Sequence, residues 1–142
     1  MASPAVALVA VVAVVVVVAG VSVGMTVSEA DAAAIKYDIA EFPLAEIDRA
    51  ITAGHSKGRA RLLIRKGRLL GASIVAPHAG ELIHELALAM QVKATIKDIS
   101  ATVHAYPTYA QIHRRTVNKH YAHLLQSKKV RSLVWLLNRL LP

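Results

Sequence analysis

Two β-rich runs, Arg59–Arg65 and Arg68–Ala76, are separated only by Lys66-Gly67. A two-residue link ending in glycine folds such runs back on each other as an antiparallel hairpin. The first run alternates at its start, but Leu62-Leu63-Ile64 is continuous, which points to burial on both faces. Gly71 interrupts the second run and marks either a bulge or a close approach of another backbone. A lone hairpin is marginal in water, so the rest of the chain has to extend it and cover it.

The flanking sequence supplies both. Thr26-Val-Ser-Glu29 has capping-box spacing ahead of Ala30–Ala34 and predicts a short helix beginning near residue 27. Tyr37–Phe42 alternates as a strand and stops at Pro43. Leu44, Ile47 and Ile51 then fall at helical spacing, enough for one helical turn over the sheet edge. Pro77-His-Ala-Gly-Glu81 opens a helix running to about Met90, with Leu82, Ile83, Leu86 and Met90 on one stripe and Ala87 and Ala89 thinning its flank. Ile96–Ser100 reads as another helical turn. Val103–Gln111 is a strand-to-helix corner: Pro107 suits the first turn of the helix that follows to about Leu125, and it pushes Tyr106 toward extended geometry. The fold class is therefore α+β, an antiparallel β-sheet with a central hairpin backed by helices, closed by a C-terminal amphipathic helix.

Charge is distributed unevenly along the chain. Hydrophobic residues make up 55% of it, yet residues 1–28 hold no charged side chain, so the excess sits at the start. Ala5–Val23 is almost pure Val and Ala. At about 1.5 Å per residue it is long enough to cross a hydrocarbon core of roughly 30 Å as a helix, and its valines suit a buried strand equally well. Beyond Asp98 there is no acidic residue, while Arg114, Arg115, Lys119, Lys128, Lys129, Arg131 and Arg139 are basic. Val130–Leu141, apolar at 130, 133, 134, 137, 140 and 141, reads as a basic amphipathic helix bearing the single tryptophan, Trp135. The chain has no cysteine, which excludes a self-contained dithiol or thiolate-metal enzyme.

Several spaced segments, in order, resemble one family. Gly67–Met90, with its Ala-Pro-His-Ala-Gly-Glu-Leu-Ile core, is similar to the C-terminal dimerisation domain of the pyridine nucleotide-disulfide oxidoreductases. Val23-Gly-Met-Thr26 resembles the family's Val-Gly-Leu-Thr, and Phe42–Ala50 resembles the stretch before its hairpin. His104-Ala-Tyr-Pro-Thr-Tyr-Ala-Gln111 resembles its His-x-His-Pro-Thr-x-x-Glu corner, and the basic, Trp-containing tail is similar to that of mercuric reductase-like members. The resemblance divides the chain into an apolar segment (1–22), a dimerisation domain (23–125) and a tail helix (126–142).

The same resemblance implies a cytoplasmic homodimer, or a complex with a flavoprotein partner subunit, serving FAD and NAD(P). In most members the corner's second His is the acid–base residue of a redox dithiol, and the Glu orients it. Here those positions are Tyr106 and Gln111, and His104 takes the place of the first His, so these three are the candidate catalytic residues. A phenol is a poor base near neutrality but donates a hydrogen bond well. There is no Gly-x-Gly-x-x-Gly, so the chain alone is expected to bind neither cofactor and to be inactive, with association as its role. That association is expected to bury the stripe of helix 80–90 and the hairpin against a second copy. The alternative is a non-enzymatic self-association module tethered to a membrane through residues 5–23.

Other constellations carry less. Glu81-x-x-His84 has metal-pair spacing on a helix but no second copy of the pattern, so no metal site is assigned. His113, Arg114, Arg115, His120 and His123 read as a solvated helix face. Nucleic-acid binding has charge in its favour but neither a reading helix nor an aromatic platform.

Overall fold

The computed structural model describes residues 15–17, 20–125 and 139. Its centre is a five-stranded antiparallel sheet of β1 (Val15–Val17), β2 (Gly20–Gly24), β3 (Asp38–Pro43), β4 (Arg59–Arg65) and β5 (Arg68–Val75), in the order β1-β2-β5-β4-β3. Helices α1 (Val27–Ala32), α2 (Asp48–Thr52), α3 (Ala79–Gln91), α4 (Ile96–Ala101) and α5 (Gln111–Leu125) complete it, with a 3-10 turn at Leu44–Glu46.

The hairpin forms as the sequence demands. Lys66 and Gly67 take φ of 50° and 73°, the two positive values that a turn matching strand twist requires. Gly71 meets both expectations for it. The β4–β5 register slips between Leu63 and Ile64, which pair with Gly71 and Leu69, so Leu70 bulges out. A Cβ on Gly71 would sit 1.9 Å from the Met25 carbonyl oxygen, because the chain leaving β2 crosses directly over it.

Alternation sorts the sheet's two faces. Val21, Val23, Ala40, Phe42, Ala60, Leu62, Ile64, Ala72 and Ile74 form one core with Leu82, Ile83 and Leu86 of α3 and Ile112 and Val117 of α5. Each fully buried Leu or Ile there contributes about 1.5–3 kcal/mol. Across the opposite face runs a polar row, Ser22–Ser73–Arg61–Glu41, one residue from each of four paired strands. Arg61 and Glu41 close its outer end as an ion pair. Both short helices α1 and α4 start with reciprocal capping boxes, Thr26 with Glu29 and Thr95 with Asp98.

Four expectations need correction. A helix through residues 5–23 is not formed: 15–17 and 20–24 are paired strands, and β2 is locked to β5 from Val21 to Gly24. Among the described residues no helix is long and apolar enough to cross a membrane. The Leu82–Leu86 stripe is spent inside the domain, with Ile83 and Leu86 wholly buried, so it is not free to cover a second copy. The Val103 corner joins two helices rather than a strand and a helix, and α5 starts at Gln111 instead of Thr108. Pro107, in a cis peptide with Tyr106, lies outside α5. Finally, His113 and His120 are buried, because the inner face of α5 is 112, 113, 116, 117 and 120; Arg114, Arg115 and His123 do face solvent. The tail helix expected over 126–142 falls outside the described residues, apart from Arg139.

Candidate functional site

The corner runs from the end of α4 to the start of α5 and is pinned at both ends. On the α4 side, the Ser100 hydroxyl donates to Asn118 Oδ1 of α5 at 2.6 Å. Within the corner, the Thr108 hydroxyl donates to the Ala105 carbonyl at 2.7 Å, closing the bend around Pro107. The amides of Ile112 and His113 then bond three residues back, to Tyr109 and Ala110, and start the helix.

His104 points inward. Its Nε2 stands 3.0 Å from both carboxylate oxygens of Glu85, on the middle of α3. His113 Nε2 lies 3.8 Å from the same carboxylate, and the two imidazole rings are 6.2 Å apart. The carboxylate thus ties α3 to the corner and lies close to, without bonding, the buried His113 of α5. The His113 side chain is wholly inaccessible, and burial pushes its pKa below the ordinary 6.5, with the Glu85 charge opposing and His104 adding to the depression. The chemistry available here is orientation: a carboxylate that fixes an imidazole, with a second imidazole kept neutral by burial.

Tyr106 points the other way and is 70% exposed. The neighbouring Asp48 carboxylate of α2 raises its phenol pKa above the ordinary 10, so at neutral pH it keeps its proton. Gln111 is half-buried at the first position of α5 and makes no hydrogen bond to Tyr106. The structure therefore places the three sequence-derived candidates on one corner but does not join them: His104 is anchored inward, Tyr106 faces out, and Gln111 lies on the helix beyond. Sequence reasoning missed Glu85, since only the fold brings α3 to a histidine nineteen positions on. It also missed His113, although the apolar positions Ile112 and Val117 on the same helical face signal its burial.

No three His, Asp or Glu side chains among the described residues are arranged to hold a metal ion. Nor does any strand-to-helix turn carry the glycine pattern that cradles a pyrophosphate.

Residues 11–116 match the family model described as "Pyridine nucleotide-disulphide oxidoreductase, dimerisation domain". The chain belongs to that family. Its sequence is 39% identical over 92 residues to dihydrolipoyl dehydrogenase of Haloferax volcanii, covering 63% of this chain and 19% of that protein. It is 33% identical over 121 residues to leghemoglobin reductase of Glycine max, covering 81% and 23% respectively. Among solved structures it is similar to LpdA from Mycobacterium tuberculosis, with a TM-score of 0.68 and 26% identity over 75% of this chain and 24% of that one. The chain thus spans about a fifth of the length of these curated relatives.

Proposed function

We propose that this chain is the pairing module of a FAD-dependent pyridine nucleotide-disulfide oxidoreductase of the mercuric reductase-like kind, acting as a homodimer, with FAD and NAD(P) held by other polypeptide. One observation carries the reading. With the Leu82–Leu86 stripe consumed internally, the domain still exposes Leu88 (59%), Val92 (63%), Val103 (89%) and Tyr106 (70%). Leu88 is one helical turn from Glu85, and Glu85 holds His104, so the outer face of α3 and the corner form one neighbourhood. Large apolar side chains gathered in this way mark an interaction surface. Tyr106 and Val103 are exposed on the corner itself, so pairing through the corner carries the phenol toward the partner copy. The mercuric reductase-like assignment is supported by Tyr106, where most members have His, and by the basic, Trp-containing tail.

Leu88→Asp and Val103→Asp test this reading, because both side chains are exposed and neither change disturbs the core. The expected result is conversion of a dimer to a monomer, followed by sedimentation velocity, with the circular dichroism spectrum unchanged. A dimer unaffected by both substitutions would refute the surface.

A further inference from the structure

Along the outer face of α5 lies an open groove of about 500 Å³, within the size range of small-ligand sites. It is lined by His104, Gln111, Arg114, Arg115, Asn118 and Lys119, together with Phe42 of β3. None of the three cations has a carboxylate within ion-pair distance. The Lys119 ammonium is held 5.4 Å from the centroid of the Phe42 ring. Glu85 is already engaged by His104.

No acidic side chain lies outside the described residues. All nine acidic residues, Glu29 through Asp98, belong to the described part of the chain. Residues 1–14, 18–19 and 126–142 contain none, and the last of these segments adds four more cations. Three exposed cations without a carboxylate partner among the described residues favour an anionic ligand. Two guanidinium forks and an ammonium, with two side-chain amides between them, match an oxyanion whose acceptors point in several directions and which carries more than one charge. Phe42 is buried, so the groove offers no aromatic face for a base to stack on, and a single-stranded nucleic acid fits it poorly.

We infer that the outer face of α5 is a binding site for a compact, multiply charged phosphate ligand, held by Arg114, Arg115 and Lys119 and oriented by Gln111 and Asn118. Through His104 and Gln111 the groove adjoins the corner, so it lies beside the pairing surface proposed above while its cations all belong to this chain.

Inorganic pyrophosphate is the probe, titrated into the isotopically labelled full chain at fixed ionic strength while backbone amide resonances are followed. Saturable shifts centred on Arg114, Arg115 and Asn118 are expected. Combining Arg114→Gln with Arg115→Gln lowers the affinity by roughly tenfold or more, whereas Lys36→Gln, on an exposed residue outside the groove, leaves it unchanged. The same titration on the Leu88→Asp chain gives the same affinity, which separates this site from the dimer surface. Shifts that never saturate, an unaltered affinity in the double variant, or tighter binding of a short oligonucleotide than of pyrophosphate would each overturn the assignment.

Discussion

His104 on the corner and Glu85 on α3 meet with the imidazole Nε2 equidistant, at 3.0 Å, from both carboxylate oxygens. The contact joins positions nineteen residues apart and is the one polar tie between α3 and the corner that leads into α5. Because the His104 side chain is only 6% exposed, solvent cannot replace this partner.

Replacing Glu85 by Ala is accordingly expected to cost about 1–3 kcal/mol, the range for a buried polar group that loses its partner. Glu85→Gln retains an acceptor and costs less. Urea denaturation of both variants checks the order, and equal stability of Glu85→Ala and the parent would show that the contact contributes nothing.

Acid should loosen the fold through His113. Its pKa is below 6.5 when folded and returns to the ordinary value on unfolding, so the unfolded chain takes up the proton first. Stability is full above about pH 6.5 and declines as the pH falls from there toward the folded value. His113→Leu, a replacement of similar volume, removes this part of the acid dependence whatever it does to absolute stability. Thermal melts from pH 8 to pH 5 measure the slope, and an unchanged slope in the variant would assign the titration elsewhere.

Two glycines should respond in opposite senses. At Gly71 a methyl group would sit 1.9 Å from the Met25 carbonyl oxygen, so Gly71→Ala forces the β2–α1 connection off the sheet and costs more than about 3 kcal/mol. Gly80 in α3 has open space where its Cβ would go, and Gly80→Ala stabilises by about 0.5–1 kcal/mol. Chemical denaturation of the pair distinguishes crowding from backbone entropy.

Tyr106 should titrate according to its neighbour. Asp48→Asn removes both the charge and the ionic acceptor that raise the phenol pKa, so ionisation moves down toward 10. Selectively labelled tyrosine ring resonances report this residue separately, and a titration unmoved by the substitution would remove Asp48 as its partner.

Local patterns wrote most of the architecture into the chain. The Lys66-Gly67 turn, the Gly71 bulge and the Thr26–Glu29 capping box each depend on residues close in sequence, and each formed as read. The valine run was ambiguous because β-branched residues serve a strand and an apolar helix alike; pairing of β2 with β5, some fifty residues away, decided it. Histidine was misread on α5 because its polarity suggested solvent, whereas Ile112 and Val117 had already fixed the inward face. The α3 stripe was found, but periodicity alone cannot say whether an apolar face meets its own sheet or another molecule. The Glu85–His104 contact had no local signal at all, since it exists only once α3 and the corner have been brought together.

Sedimentation equilibrium of the full chain over a range of concentrations tests the central claim most directly. A homodimer gives a mass of twice 15.2 kDa, falling to that of a single chain when Leu88 is replaced by Asp. A single-chain mass for the parent up to roughly 100 µM, a concentration at which even a weak specific dimer is populated, would contradict it.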